Sequence, residues 1–446
     1  MSAGLGRIWV LALAIVCGMA VSADARRRGP DWEPLPLACE STQCPPEIAK
    51  LYDEEPTIEL VTMGVGSLIW ERHGHIALCL RFHDRYRDVC YNYGVGDFGH
   101  PLGMAWGFFR GTKSFWVGKI AADPMLDIYR DADRSIWVQP LPLSREQKQQ
   151  VIAKLESDIL EQNKYYAYDH FWDNCTTRVR DILDNATGGA LRSMNEPTDG
   201  RTFRDLAREG FYGMRVPLLI TDIAMGAATD RVPSYYERMF LPDYLREAVA
   251  KKWGIQPITV YERKGPPSLH DGPSGRLLFA LVILLATAPV WLSRLFGRFQ
   301  RLGLAFSILP PTILGFVLWF LAIISPLPYV ETNETMMVFF PFDILLLFLR
   351  GRKQQLYARG RVVMLVVVGL LNLAGVLKQP MLAPLLWPLI PAAVVGFWRP
   401  EWTRGAAKQP VESVVETPDI APAPAKVVSK SAQKRKDKAR AAAARR

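Results

Sequence analysis

The sequence predicts an α+β domain outside the cytoplasm, followed by an all-α membrane domain of about five helices. Three observations predict it. Arg7, an apolar run from Ile8 to Val21, and Ser22-Ala23-Asp24-Ala25 have the order of a secretory signal peptide. Between residues 58 and 208, strand-like segments come first and amphipathic helical ones follow, without strict alternation, which suggests α+β. From Arg276 onward, apolar runs recur at 277–294, 303–326, 335–349, 362–378 and 381–398. Several approach the ~20 residues that cross a hydrocarbon core as helix.

These divide the chain into a signal peptide or uncleaved anchor (1–25), an outer domain (26–275), a membrane domain (276–400) and a basic tail (401–446). Arg26-Arg27-Arg28 directly after the site resists translocation, which keeps the uncleaved anchor open beside the favoured cleavage; Ala14-Ile15-Val16-Cys17 makes a poor lipobox, so the chain does not read as a lipoprotein. The loops Arg294-Leu295-Phe296-Gly297-Arg298 and Arg350-Gly351-Arg352-Lys353 are basic, while Tyr329-Val330-Glu331-Thr332-Asn333-Glu334 is acidic. The positive-inside rule then leaves the outer domain outside and the C-terminus cytoplasmic. The net charge of +10 is therefore no nucleic-acid signal, because much of it lies in those loops and in Lys430–Arg446. That tail reads as disordered, either simply solvated or touching anionic lipid heads.

In the outer domain, residues 30–56 read as an irregular, Pro-rich leader, and 58–63, 74–82, 87–93, 115–120 and 135–141 read as strands. Ser144 caps an amphipathic helix through Glu161. A second helix runs from near Asn174 to Leu183, stopped by Gly188-Gly189, and a third covers 202–208. Residues 211–250 are interrupted by Gly and Pro yet carry Tyr235, Tyr236, Met239, Phe240 and Leu241, an apolar surface for the core or the membrane.

Five of the six cysteines follow the signal segment. Cys39 and Cys44 are close enough for a small disulfide loop. Cys79 and Cys90, on neighbouring strands, can pair or remain buried thiols. Those pairings leave Cys175 odd, and an odd thiol in an exported chain needs a reason. Cys175 stands where a helix begins, where free N–H groups and the dipole stabilise a thiolate and a developing oxyanion. His75 opens an apolar strand, with His73 on the same face by strand parity. Either is a candidate base for covalent thiol catalysis. The His73-x-His75 pair also suggests a metal site, with His83, His100 or His170 as third ligand, but the reading adopted here has neither metal nor cofactor. Asn92 or Asp88 is the candidate orienter of the base, with Asn92 preferred. Asn174 is a candidate oxyanion donor or N-cap, and Tyr168, with Tyr165 and Tyr166, a candidate acyl-pocket or oxyanion residue. In the shortest apolar run, Asp343 faces either a partner within the membrane or an interface.

The order of Gly74-His75-Ile76-Ala77-Leu78 on a strand and Asn174-Cys175-Thr176-Thr177 opening a helix resembles the circularly permuted papain-like proteins, among them lecithin:retinol acyltransferase and NlpC-type hydrolases. Tyr91-Asn92-Tyr93-Gly94, Asp173-Asn174-Cys175-Thr176-Thr177-Arg178-Val179-Arg180-Asp181 and Met239-Phe240-Leu241-Pro242 together resemble the Lnb-type lipoprotein N-acyltransferases. The likeness covers about 55–250 by motif and the remainder by topology. It implies a bacterial inner-membrane enzyme with a periplasmic catalytic domain, a phospholipid acyl donor and a diacylated lipoprotein acceptor. Two alternatives stay open: a membrane-anchored cysteine peptidase or amidase acting on cell-wall peptides, and a non-catalytic membrane scaffold.

Overall fold

The computed structural model describes residues 56–82, 85–266 and 275–398. The signal segment, the Cys39/Cys44 pair, His83 and the basic tail lie outside the described residues.

Seven antiparallel strands form one sheet in the order β6-β4-β3-β2-β1-β5-β7. They are β1 (Thr57–Met63), β2 (His75–Arg81), β3 (Val89–Val95), β4 (Phe115–Ala121), β5 (Ile136–Pro140), β6 (Tyr165–Tyr166) and β7 (Ile258–Tyr261). The helices between them are α1 (Pro101–Phe109), α2 (Ala122–Asp131), α3 (Arg145–Asp158), α4 (Cys175–Ala186), α5 (Phe203–Glu209), α6 (Arg215–Ala224) and α7 (Pro242–Trp253). Strand alternation divides the side chains between two layers. Ile58, Leu60, Ile76 and Leu78 pack beneath α3, α4 and α7, while Val61, Met63, Ala77 and Cys79 pack beneath α2. Because both faces are covered, every residue of β1 is buried and β2 carries a continuous apolar run from Ile76 to Leu80. The five strands and three helices expected from sequence are all present. The structure adds α1, α2, α6, α7 and the short edge strands β6 and β7.

Cys79 and Cys90 stand directly opposite each other on β2 and β3 and are joined as a disulfide. This resolves the alternative left open by their spacing. At the same end of the sheet, Arg81 donates to Glu59 at 2.8 Å and to Asp88 at 3.0 Å, all three side chains buried. Asp88 also accepts from the Phe82 N–H at 2.7 Å. It is thereby committed to Arg81 and does not orient His75, which stands at the opposite end of β2.

Beyond β7 come four long helices: α8 (Gly275–Leu295), α9 (Gln300–Ile324), α10 (Gly351–Leu373) and α11 (Leu382–Phe397). Among the described residues, α8 (from Leu277), α9 and α10 are long and apolar enough to cross a membrane, and α11 is a shorter apolar helix. The expected helical span at 335–349 is not a helix. It is broken into 3₁₀ turns at Glu334–Met337 and Pro341–Ile344 and a single helical turn at Leu345–Phe348. Pro341 cannot donate an N–H to a helical ladder, which is reason enough for the break. The segment nonetheless runs from one end of the bundle to the other. Val338 and Phe339 pack with Ile223 and Met381, and Leu346 packs with Val290 and Leu304.

Carbonyls freed by that break need donors, since unpaired backbone groups are costly away from water. Arg361 of α10 supplies them. Its guanidinium donates to Met337 O at 3.1 Å, to Val338 O, and to Asp343 Oδ1 at 2.8 Å, while Tyr357 donates to the same carboxylate at 3.2 Å. Asp343 and Arg361 are each 4% exposed, so Asp343 faces a partner rather than an interface. Removing one member of a buried pair costs about 3–5 kcal/mol. Arg361→Met should therefore lower the thermal unfolding midpoint of the full chain in detergent clearly, whereas a change at the exposed Val363 of the same helix should scarcely move it.

Candidate active site

Gly74 sets the start of β2. Its φ is +75°, and a Cβ there would stand 2.8 Å from Met63 O, so glycine is required on both counts. The turn breaks strand parity between His73 and His75, which overturns the expectation that both lie on one face. His73 turns toward α5, its Nε2 hydrogen-bonding Ala207 O at 2.8 Å and its ring lying 4.7 Å from that of His170.

His75 faces the other way. Its Nε2 contacts Asn92 Oδ1 at 3.2 Å, while Asn92 Nδ2 donates to Met125 Sδ at 3.3 Å. The sulfur takes the amide N–H, so the oxygen is left for the imidazole. An oxygen can only accept, hence Nε2 carries the proton and Nδ1 keeps the lone pair a base requires. Tyr129 of α2 stacks on the imidazole at 5.9 Å between centroids, and the Arg134 guanidinium lies 4.8 Å from the Tyr129 ring. Burial, with the Arg134 charge second, pushes the His75 pKa down to about 4 against the opposing Asn92 bond. The base is neutral at rest.

Cys175 is the first residue of α4. Asn174 is its N-cap, Oδ1 accepting from Thr176 N at 2.8 Å and from Thr177 N at 2.9 Å. Its Nδ2 donates to His170 O at 2.6 Å and Phe240 O at 2.9 Å. With both amide hydrogens committed, Asn174 acts as cap rather than oxyanion donor. The cap leaves out the Cys175 N–H, which stands at the helix N-terminus as a donor for a developing oxyanion. The sulfur is a free thiol, 9% exposed, and the Ile76 N–H, next to His75, hydrogen-bonds it. Gly94, with φ +83°, lets β3 pass close by; a Cβ there would stand 3.6 Å from Cys175 Cβ and 3.4 Å from the Tyr168 ring.

The electrostatic expectation for Cys175 needs correction. A helix N-terminus lowers a thiol pKa, but burial here outweighs the Ile76, Thr176 and Cys175 N–H groups and pushes the thiol up. The resting pair is thus neutral thiol and neutral imidazole. Tyr168, beside Cys175, is also held neutral well above its ordinary range by burial. Its ring packs 4.7 Å from Phe115 and 6.3 Å from Phe108, the lining of an apolar wall.

The structure therefore brings Cys175, His75, Asn92, Tyr168 and the Asn174 cap to one end of the sheet, and directs His73 elsewhere. Among the described residues, no group of three or more His, Cys, Asp or Glu is arranged to hold a metal ion. Sequence reasoning missed Tyr129, Arg134 and Met125, because their contact with β2 and β3 depends on how α2 folds back. A polar cleft of about 370 Å³ between α3 and α4, lined by Lys154, Asp173 and Arg178 among others, does not include Cys175.

Residues 49–209 match the family model of the Lnb N-terminal periplasmic domain. Over those residues the chain is similar to that family. The match spans every candidate site residue from His73 to Cys175 and stops at the end of α5. No curated protein and no solved structure matches the chain. With an Lnb domain ahead of three helices apolar enough to cross a bilayer, the chain is a membrane protein with a periplasmic domain.

Both His73 and His75 are held near 4 against an ordinary 6.5 by burial. Depressed histidine pKa values mean that the unfolded chain binds more protons between those limits. Stability is then complete above about 6.5 and lost as the pH falls toward 4. Denaturant unfolding across that window should show a shallower acid slope in His73→Gln, provided the variant folds. An unchanged slope would assign the acid sensitivity to other groups.

Proposed function

We propose that the chain transfers a fatty acyl group from a phospholipid to the N-terminal cysteine amine of diacylated lipoproteins, through a thioester on Cys175. What carries this reading is a free thiol at a helix N-terminus, held by the backbone N–H of Ile76, the residue that follows a neutral His75 imidazole paired to the Asn92 amide, in a periplasmic domain joined to membrane helices. The order of the histidine strand before the cysteine helix fits a permuted papain-like arrangement.

His75 Nδ1 takes the thiol proton as the sulfur attacks the donor ester carbonyl. The oxyanion accepts from the Cys175 N–H. Collapse releases the lysophospholipid, whose alkoxide takes the proton from His75, and leaves acyl-Cys175. The acceptor amine then attacks the thioester, His75 removes the amine proton, and it returns that proton to the departing thiolate. Because thiol and imidazole start neutral, proton transfer accompanies attack rather than preceding it. Both substrates are membrane lipids, so a site tethered to the bilayer meets them at high effective concentration. A soluble peptide would gain little from the tether, and this favours acyl transfer over cell-wall peptide cleavage.

Localisation follows the same logic. The irregular segment 334–348 counts as one crossing, so with α8, α9, α10 and α11 the bundle crosses five times. The basic turns at Arg294–Arg298 and Arg350–Lys353 then face the cytoplasm of an inner membrane, as does the C-terminus.

In cells lacking another lipoprotein N-acyltransferase, mass spectra of lipoprotein N-termini should lose one acyl chain when Cys175→Ser replaces the wild type. His75→Ala should slow transfer by roughly 10²–10⁴-fold, the worth of a positioned base. Fully acylated lipoproteins in the Cys175→Ser strain would refute the reading.

A further inference from the structure

Helix α1 exposes what a periplasmic surface usually hides. Leu102 is 76% and Trp106 50% exposed, and Pro101–Phe109 contains no charged side chain. The outer face of α1 continues directly into the bundle. Trp106 stacks on Phe320 of α9 at 6.2 Å with 16° between the planes, and Phe320 is itself 50% exposed. Just past the helix, Gly111 sits against Pro326, at the end of α9. Phe320 lies on a helix long and apolar enough to cross a membrane, so whatever covers Phe320 also covers Trp106. Arg110 lies 5.8 Å from the Trp106 ring, and both Arg110 and Lys113 are exposed. An aromatic ring flanked by basic groups is the composition of a membrane-interface anchor.

We propose that α1 lies in the bilayer interface, with Leu102 and Trp106 among the acyl chains and Arg110 and Lys113 at the lipid phosphates. The inner face of α1 points to the site. Phe108 packs against Tyr168, which borders Gly94 and Cys175. The helix thus bridges the lipid surface and the thiol in a single layer of side chains. The inference stands on exposure and stacking and holds whichever reaction Cys175 performs.

A photocrosslinker tests it directly. The full chain, carrying p-benzoylphenylalanine in place of Leu102 or of Trp106, is reconstituted in nanodiscs of phosphatidylethanolamine and phosphatidylglycerol and irradiated. Tyr86, fully exposed at the far end of β2 and β3, serves as the reference position. Phospholipid adducts at Leu102 and Trp106, at several times the yield at Tyr86, are expected. Adducts to a protein chain, or a lipid yield equal to that at Tyr86, would overturn the proposal and mark α1 as a protein-binding face or a bare one.

Discussion

Four hydrogen bonds to one buried amide, two accepted and two donated by the Asn174 side chain, organise the candidate site. Oδ1 closes the first turn of α4, and Nδ2 ties that turn to the carbonyls of His170 and Phe240. Those carbonyls belong to the loop before α4 and to the segment that leads into α7, so one side chain fixes three pieces of chain. A buried amide left half-paired would cost about 1–3 kcal/mol for each group stranded. Complete pairing makes the helix start at Cys175 and nowhere else. The consequence is chemical: the cap consumes the N–H groups of Thr176 and Thr177 and leaves that of Cys175 beside its own sulfur.

The sheet supplies the other half. The β2–β3 register sets Asn92 opposite Ala77 and Cys90 opposite Cys79, so His75, Ala77 and Cys79 share a face with Asn92 and Cys90. The disulfide that joins the strands thus fixes the same register that lets the Asn92 amide reach the His75 ring. A slip of one residue would turn Asn92 to the opposite layer. Tyr129 and Arg134 close one side of the imidazole, and its burial, with the Arg134 charge second, keeps it unprotonated. Keeping base and nucleophile neutral while apart suits a thiol on the oxidising side of a membrane, where a standing thiolate would be at risk.

Much of this was legible in the sequence. Short strand-like runs bounded by turn residues marked the central strands, and Ser144 and Asn174 marked helix starts with the right chemistry. The odd cysteine singled out Cys175. Other features were hidden for identifiable reasons. Strand parity carried His73 to the wrong face because Gly74 adopts a left-handed φ that no periodicity reveals. Burial reversed the helix-terminus effect on Cys175, and burial is a tertiary quantity. Composition made 335–349 look like a helical span, whereas Pro341 breaks it and Arg361, eighteen positions beyond Asp343, repairs it. Helix α1 escaped notice because Pro101–Phe109 lacks the polar stripe that marks a surface helix.

The central claim is that the Cys175 sulfur carries the acyl chain. Intact-mass spectrometry of the full chain in phospholipid nanodiscs, without any acceptor, tests it most directly. One fatty acyl group per chain is predicted, mapped to Cys175, released by neutral hydroxylamine and absent from Cys175→Ser. An acyl group on any other residue, or an unmodified chain that still acylates an added lipoprotein peptide, would contradict the account.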